Sequence, residues 1–304
     1  MVHNSEPVLK PADTPQFSEA PPHYGEFKRV VKVFFGRPLP MIGFIILIIL
    51  ILMAIFAPWF APYDPYKMDM ALRLTPPSQE HFLGTDSLGR DTLSRIIFGS
   101  RSSLLVGIIA ISISGIAGII LGLIAAYRGG FIYSVIMRAT DTLMSIPMII
   151  LALIIASLLG GGLKNVIIAL GIGMIPAPTR LMCGMAMSTM QNDYVLAGRA
   201  MGAGDFRMMF KHILPNAFPP LLVLLTVGIG AAILAEAGLS FLGVGINPPG
   251  AAWGSMVNDG YKYLIISPVL SLSPGIAIML VVFSFNMVGD GLRDALDPRL
   301  RGLL

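Results

Sequence analysis

Asp193-Tyr194-Val195-Leu196-Ala197-Gly198-Arg199-Ala200-Met201-Gly202-Ala203-Gly204-Asp205-Phe206, continuing to Ile213-Leu214-Pro215-Asn216, lies between two strongly apolar runs of the chain. A polar group made of Asn192, Asp193, Arg199, Asp205, Arg207, Lys211 and His212 in that setting marks a loop that a membrane protein presents to a soluble partner. The surrounding composition agrees. Of 304 residues, 55% are hydrophobic and only 12% charged, and the mean hydropathy of +0.78 lies outside the range of soluble globular domains. The single cysteine, Cys183, excludes an internal disulfide framework and a cysteine-rich metal site. The net charge of +4 comes without basic clusters interleaved with aromatics, so nucleic acid is not an expected partner. The positive residues lie mostly beside apolar runs, where membrane orientation accounts for them.

Crossing a hydrocarbon core of ~30 Å takes about 20 apolar residues. Met41 to Ala61, Ser102 to Tyr127 and Thr142 to Leu163 qualify without interruption. Asn165 to Met190 is interrupted by Arg180 and Ile213 to Gly245 by Glu236, while Tyr263 to Gly289 carries only neutral polar groups such as Asn286. The expectation is an all-α membrane protein of six transmembrane helices. Pro147, Pro176, Pro178, Pro219, Pro220, Pro268 and Pro274 fall in or beside these runs and predict irregular helices. An even span count puts both termini on one side. With that side cytoplasmic, the outer loops hold seven of the 21 basic residues, namely Lys67, Arg73, Arg90, Arg95, Arg101, Lys164 and Lys262.

The chain then divides into a cytoplasmic tail (1–40), a first span (41–61), an extracytoplasmic loop (62–103), a core of five further spans (104–290) containing the cytoplasmic loop 191–216, and a cytoplasmic tail (291–304). Residues 1–40 are polar and proline-rich and read as a flexible tail. Its last part, Tyr24 to Arg37, suits either a helix lying on an anionic membrane face or a plain flank to the first span. The first apolar run starts too late, and is too long, for a cleaved signal peptide.

In the outer loop, Thr85 or Asp86 starts a turn, Asp91 and Arg95 are spaced for an i,i+4 pair, and Leu93, Ile96 and Ile97 share a face. That pattern predicts an amphipathic helix on the outer membrane surface, either an elbow for span two or a contact for a substrate-delivering partner. In the inner loop, Tyr194 to Met201 suits a helix and Gly202-Ala203-Gly204 permits a sharp turn. Asp205 is placed to cap a second helix that Pro215 ends. Phe206, Met209, Phe210 and Ile213 fall at i, i+3, i+4 and i+7 on that helix, with Arg207 and Lys211 on another face. The apolar face either docks a partner or rests on the protein's own helix ends.

This loop resembles the coupling loop of bacterial ABC importer permeases, whose pattern is Glu-Ala-Ala, a later Gly and a terminal Leu-Pro. Leu196-Ala197-Gly198, Gly202 and Leu214-Pro215 stand at those spacings. Leu196 replaces the family's Glu and Gly198 its second Ala, so any role of that carboxylate does not carry over. Three further segments resemble the dipeptide, oligopeptide and nickel branch, specifically its second, C-type membrane subunit. They are Phe82-Leu83-Gly84-Thr85-Asp86 through Gly89-Arg90-Asp91, then Leu239-Ser240-Phe241-Leu242-Gly243-Val244-Gly245, and Asn286 through Gly289-Asp290-Gly291 to Asp297-Pro298. Together they extend the resemblance from about Pro38 to Arg301.

The resemblance implies a type I ABC importer permease fold in a bacterial or archaeal cytoplasmic (inner) membrane, with both termini cytoplasmic. It implies three kinds of partner besides the lipid bilayer: a homologous permease subunit in a heterodimer, two cytoplasmic ATPase subunits, and an extracytoplasmic substrate-binding protein. The implied substrates are di- and oligopeptides, or nickel and other small solutes. The candidate coupling residues are Ala197, Gly198, Gly202, Ala203, Gly204, Asp205, Phe206, Met209, Phe210, Leu214 and Pro215, of which the resemblance carries over Gly202, Leu214 and Pro215. The chain has no Gly-x-x-x-x-Gly-Lys-Ser/Thr loop, so ATP is expected on partner subunits and no cofactor on this one. Neither zinc-ligand spacing nor a nucleophile beside a base is present, and a non-catalytic subunit is expected.

Ionisable and polar groups within spans are candidates for the translocation path. Glu236 either meets a cationic group of the substrate or caps the turn from Gly238 to Gly245. Arg180 contacts substrate or snorkels to the cytoplasmic face, and Asn286 is the neutral candidate. Asp141 reads as a surface residue or the partner of a nearby cation. Met182, Met185, Met187 and Met190 read as flexible packing rather than a copper(I) site. The competing class is an ion-coupled secondary transporter using Glu236 or Asp141. Such folds carry inverted repeats, and the two halves here show no convincing similarity.

Overall fold

The computed structural model describes residues 26–246 and 249–296. The expectations for residues 1–25 and for the end of the tail, 297–304, fall outside the described residues. Within them the secondary structure is helical, apart from one isolated bridge between Thr85 and Asp91. Five stretches are long and apolar enough to cross a membrane: Pro38–Ile55, Thr92–Arg128, Leu163–Thr189, Asp205–Phe241 and Val269–Leu296. A sixth arises if the bent pair Gly130–Met144 and Met148–Leu158 counts as one span.

Proline sets most of the boundaries that differ from expectation. A short helix α1 (Glu26–Phe35) precedes α2 (Pro38–Ile55), which starts at Pro38 because a first helical turn has no use for the missing N–H. The first span stops at Ile55 rather than Ala61, because Pro58 cannot donate to the preceding turn, and α3 (Ala57–Phe60) follows a break at Phe56. Span three is not one helix. α5 (Gly130–Met144) and α6 (Met148–Leu158) meet at 90° across Ser145, Ile146 and Pro147. In span four, Pro176 and Pro178 separate α7 (Leu163–Gly173) from α8 (Pro176–Thr189). The last span begins at Val269 rather than Tyr263, after a turn that ends at Pro268, and runs to Leu296 as α13 (Val269–Leu296).

The expected surface elbow before span two is absent. Thr92 to Arg101 is instead the first part of α4 (Thr92–Arg128), an uninterrupted helix of 37 residues. At 1.5 Å per residue α4 is roughly 55 Å long and exceeds the hydrocarbon core by nearly half its length. Asp91 starts it, accepting from Ser94 N at 2.8 Å and Ser94 Oγ at 2.7 Å. With its carboxylate so engaged, and His81 Nδ1 at 2.9 Å, Asp91 forms no pair with Arg95. Arg95 turns to Pro65 O at 3.0 Å and Asp86 at 3.6 Å, and it is buried together with Ile96 and Ile97. Asp86 does make the expected turn, its Oδ1 accepting from Leu88 N and Arg90 N while Arg90 Nε donates to its Oδ2 at 2.7 Å.

Lipid gives helices no hydrophobic reason to associate, so close contact between small residues carries the packing. α4 and α8 show this most directly. A Cβ on Gly118 would lie 2.7 Å from Pro178, and one on Gly122 only 2.4 Å from Thr179 O. On the expected outer side, α12 (Trp253–Tyr261) buries Trp253 completely, and its indole N–H donates to Ile96 O at 2.9 Å. The inner core cluster contains Leu123, Met182, Val195, Met208, Ile213 and Leu221, which roots the loop 191–216 in the bundle.

Candidate coupling site and polar groups of the spans

The loop begins with α9 (Asp193–Ala200), which ends in a glycine cap. Gly202 N donates to Arg199 O at 2.9 Å and Ala203 N to Gly198 O at 3.1 Å, with Gly202 at φ +79°. This paired arrangement closes a helix on a left-handed residue and satisfies its last carbonyls. Gly204 then leads into α10 (Asp205–Arg207), which passes through a π-helical turn at Met208–Ile213 into α11 (Leu214–Phe241) without a stop. Pro215 therefore does not end the second helix. The wider π turn directly precedes the position where proline cannot donate and its ring crowds the preceding turn.

That π turn also divides the expected apolar face. Met208 and Ile213 are buried, Met209 is half-buried, and Phe206 and Phe210 are 72% and 39% exposed with ring centroids 4.5 Å apart. Ala197, Gly202, Gly204 and Pro215 are exposed, while Ala203 and Leu214 are half-buried. Gly198 is buried and faces Met208, whose sulfur would lie 3.2 Å from a Cβ there. Leu196 and Met201 add exposed apolar surface that periodicity did not single out.

Asp205 does not cap its helix. Its Oδ1 accepts from Tyr127 Oη at 2.9 Å, and its Oδ2 lies 3.7 Å from Arg128 Nη2. The Arg199 guanidinium sits 5.0 Å from the centroid of the Tyr127 ring. The loop thus holds the end of α4 from two sides, through α9 and through α10. Each contact is worth only about 0 to 1 kcal/mol. Together with buried Val195, Gly198, Met208 and Ile213 they fix the loop as one body that displays Phe206.

The polar groups of the spans separate into different environments. Glu236 is fully buried on α11, accepting from Ser240 Oγ at 2.6 Å and Ser103 Oγ at 3.5 Å, so it joins α11 to α4 instead of facing a cavity. Asn286 is half-buried on α13. Arg180 on α8 pairs with Asp141 on α5, the cation partner that Asp141 lacked in the sequence. Arg37, before α2, pairs with Asp294 near the end of α13, which brings the first and last spans together at one end of the bundle.

Residues 118–302 match the family described as binding-protein-dependent transport system inner membrane component, and residues 26–77 match the N-terminal TM domain of oligopeptide transport permease C. The chain is 40% identical over 274 residues to the probable D,D-dipeptide transport system permease protein DdpC of Escherichia coli strain K12, covering 90% of this chain and 92% of that protein. It is 44% identical over 265 residues to the di/tripeptide transport system permease protein DppC of Pseudomonas aeruginosa, covering 85% and 88%. It is also 40% identical over 302 residues to the glutathione transport system permease protein GsiD of Shigella boydii, covering 99% and 97%. Among solved structures, an inward-facing form of the MetNI methionine ABC transporter contains a chain with TM-score 0.55 at 21% identity, covering 67% of this chain and 98% of that one. At that identity the likeness shows a shared fold.

Proposed function

Because this chain belongs to the family of binding-protein-dependent transport system inner membrane components, we propose that it forms half of the pathway of an ATP-driven importer for di- and oligopeptides. It is a multi-pass membrane permease subunit, and its family is not catalytic. ATP is hydrolysed by two partner subunits on the cytoplasmic side. A homologous permease completes the pathway, and an external binding protein delivers the peptide. Both termini and the loop 191–216 face the cytoplasm. The Arg37 to Asp294 pair, which joins the two ends, and the basic residues Lys28, Arg29, Lys32, Arg128, Arg199, Arg207 and Lys211 support this orientation.

The carrying observation is the exposed Phe206 on a loop that clasps the end of α4. An ATPase that seats Phe206 and Phe210 in a pocket moves α4 through Asp205 and Arg199. It moves α11 through Met208 and the continuous helix beyond it. Closure of the ATPases then becomes rocking of the helices between two openings. The test is reconstitution of this chain with a sister permease, both ATPases and the binding protein in liposomes. Uptake of labelled dipeptide that requires ATP supports the reading. Accumulation by the permeases alone, without nucleotide, refutes it.

A further inference from the structure

α5 is exposed over most of its surface, yet its exposed small polar and charged residues fall on one side. Ser134, Arg138, Asp141, Thr142 and Ser145 follow an i, i+4, i+7, i+8, i+11 spacing. Ala177, Arg180, Gly184, Met187 and Ser188 form the exposed side of α8. The two sides meet at the Asp141 to Arg180 pair, whose side chains remain 55% and 52% exposed.

Packing gives the depth of this pair. Thr179, next to Arg180, lies against Gly118 and Gly122 of α4, and Gly118 stands ten residues before Arg128 at the α4 end that the coupling loop clasps. Ten residues are roughly 15 Å of helix, about half of a ~30 Å hydrocarbon core. Lipid does not solvate half-exposed charges at that depth, so they face a wet cavity or a partner. A mostly apolar pocket of about 330 Å³ lies where both broken spans turn, lined by Leu143, Met144, Pro147, Met174, Pro176 and Ala177 among others, two residues from Asp141 and three from Arg180 along their chains though neither lines it. A single hydrogen bond joins the pair among the described residues, leaving most guanidinium donors and carboxylate lone pairs open.

We infer that Asp141 and Arg180 are this subunit's recognition point for the two termini of a zwitterionic peptide, Asp141 receiving the ammonium and Arg180 the carboxylate. The inference rests on the peptide-import reading above. A half-exposed ion pair is readily opened, and Arg180 can meet a carboxylate with two parallel hydrogen bonds. Inserting a zwitterion between the two exchanges one pair for two and brings no net charge to mid-membrane. That balance suits a peptide with free termini and disfavours a singly charged solute.

The test uses the complete transporter in proteoliposomes, with saturating binding protein and radiolabelled dialanine. Asp141→Asn and Arg180→Gln are each expected to lower initial uptake at least tenfold, with subunit co-purification and basal ATP hydrolysis within twofold of wild type. The exchange D141R/R180D restores a pair in reversed order and is expected to remain at least tenfold down. Full uptake by the exchange variant identifies a strut between α5 and α8 and overturns the inference, as does loss of assembly in both single variants. Wild-type uptake matched by the single variants overturns this inference alone. Wild-type liposomes that move no dialanine overturn it together with the reading it rests on.

Discussion

Truncating Phe206 to alanine isolates docking from folding, because the side chain is 72% exposed and supports little of the fold. Covering a large apolar side chain completely is worth roughly 1.5 to 3 kcal/mol, so covering the exposed part of Phe206 is worth roughly 1 to 2 kcal/mol. At 1.4 kcal/mol per factor of ten, Phe206→Ala should weaken ATPase binding about 5- to 30-fold. Phe210, 39% exposed, should cost about 3- to 7-fold on the same reckoning. Met208→Ala is the contrasting control, since Met208 is fully buried under Gly198 and its loss should cost roughly 2 to 5 kcal/mol of stability. The assay is titration of purified ATPase subunits onto the permease pair in nanodiscs, read by biolayer interferometry, with thermal unfolding of each variant in parallel. Affinity within twofold of wild type for Phe206→Ala, at unchanged stability, would refute docking through this side chain.

Gly202→Val should cost about 1 to 2 kcal/mol through its left-handed backbone alone, because no atom lies within 4 Å of the added Cβ. Asn should be tolerated better than Val, and the ratio of uptake to ATP hydrolysis measures the effect; Val matching wild type counts against the turn's role in coupling. Glu236→Gln keeps an acceptor for Ser240 and should change stability by no more than about 1.5 kcal/mol, whereas Glu236→Ala should cost about 2 to 4 kcal/mol. Thermal unfolding in nanodiscs checks this order, and equal losses would argue for a role of the charge itself. Gly122→Val drives a Cβ into Thr179 O and should destabilise the chain by about 1 to 3 kcal/mol, while Gly184→Ala, with open space around it, should not. Matching unfolding temperatures for the two variants would contradict the close packing of α4 on α8.

The spans were legible because uncharged runs of that length have few other fates, and the glycine-capped turn of the inner loop because Gly202 stands between two short helical patterns. Their ends were less legible, since one proline acts differently by position. Pro38 starts a helix, Pro58 breaks one, and Pro215 is absorbed by a π turn. The same π turn defeats a 3.6-residue period, which is why Phe206 and Ile213 were assigned one face and occupy opposite environments. Asp91 sits four residues from Arg95, yet cap geometry and His81 outcompete that pairing. Asp141 and Arg180 are 39 positions apart and meet through the packing of α5 on α8, which no local pattern announces. Nor does anything local mark Trp253 as fully buried, since its burial depends on the extension of α4 beneath it.

The uninterrupted length of α4 has a mechanical consequence. With no proline and no break over its 37 residues, α4 joins Tyr127 near one end to Arg95 and Ile96 near the other as one continuous helix. Leaning a ~55 Å rod by about 10° displaces one tip relative to the other by roughly 10 Å. Its far tip is fastened through Arg95 to Asp86 and Pro65, and through Ile96 to Trp253 of α12. If the inner loop drives α4 as proposed, a lean imposed at Tyr127 carries with it whatever is fastened to the far tip.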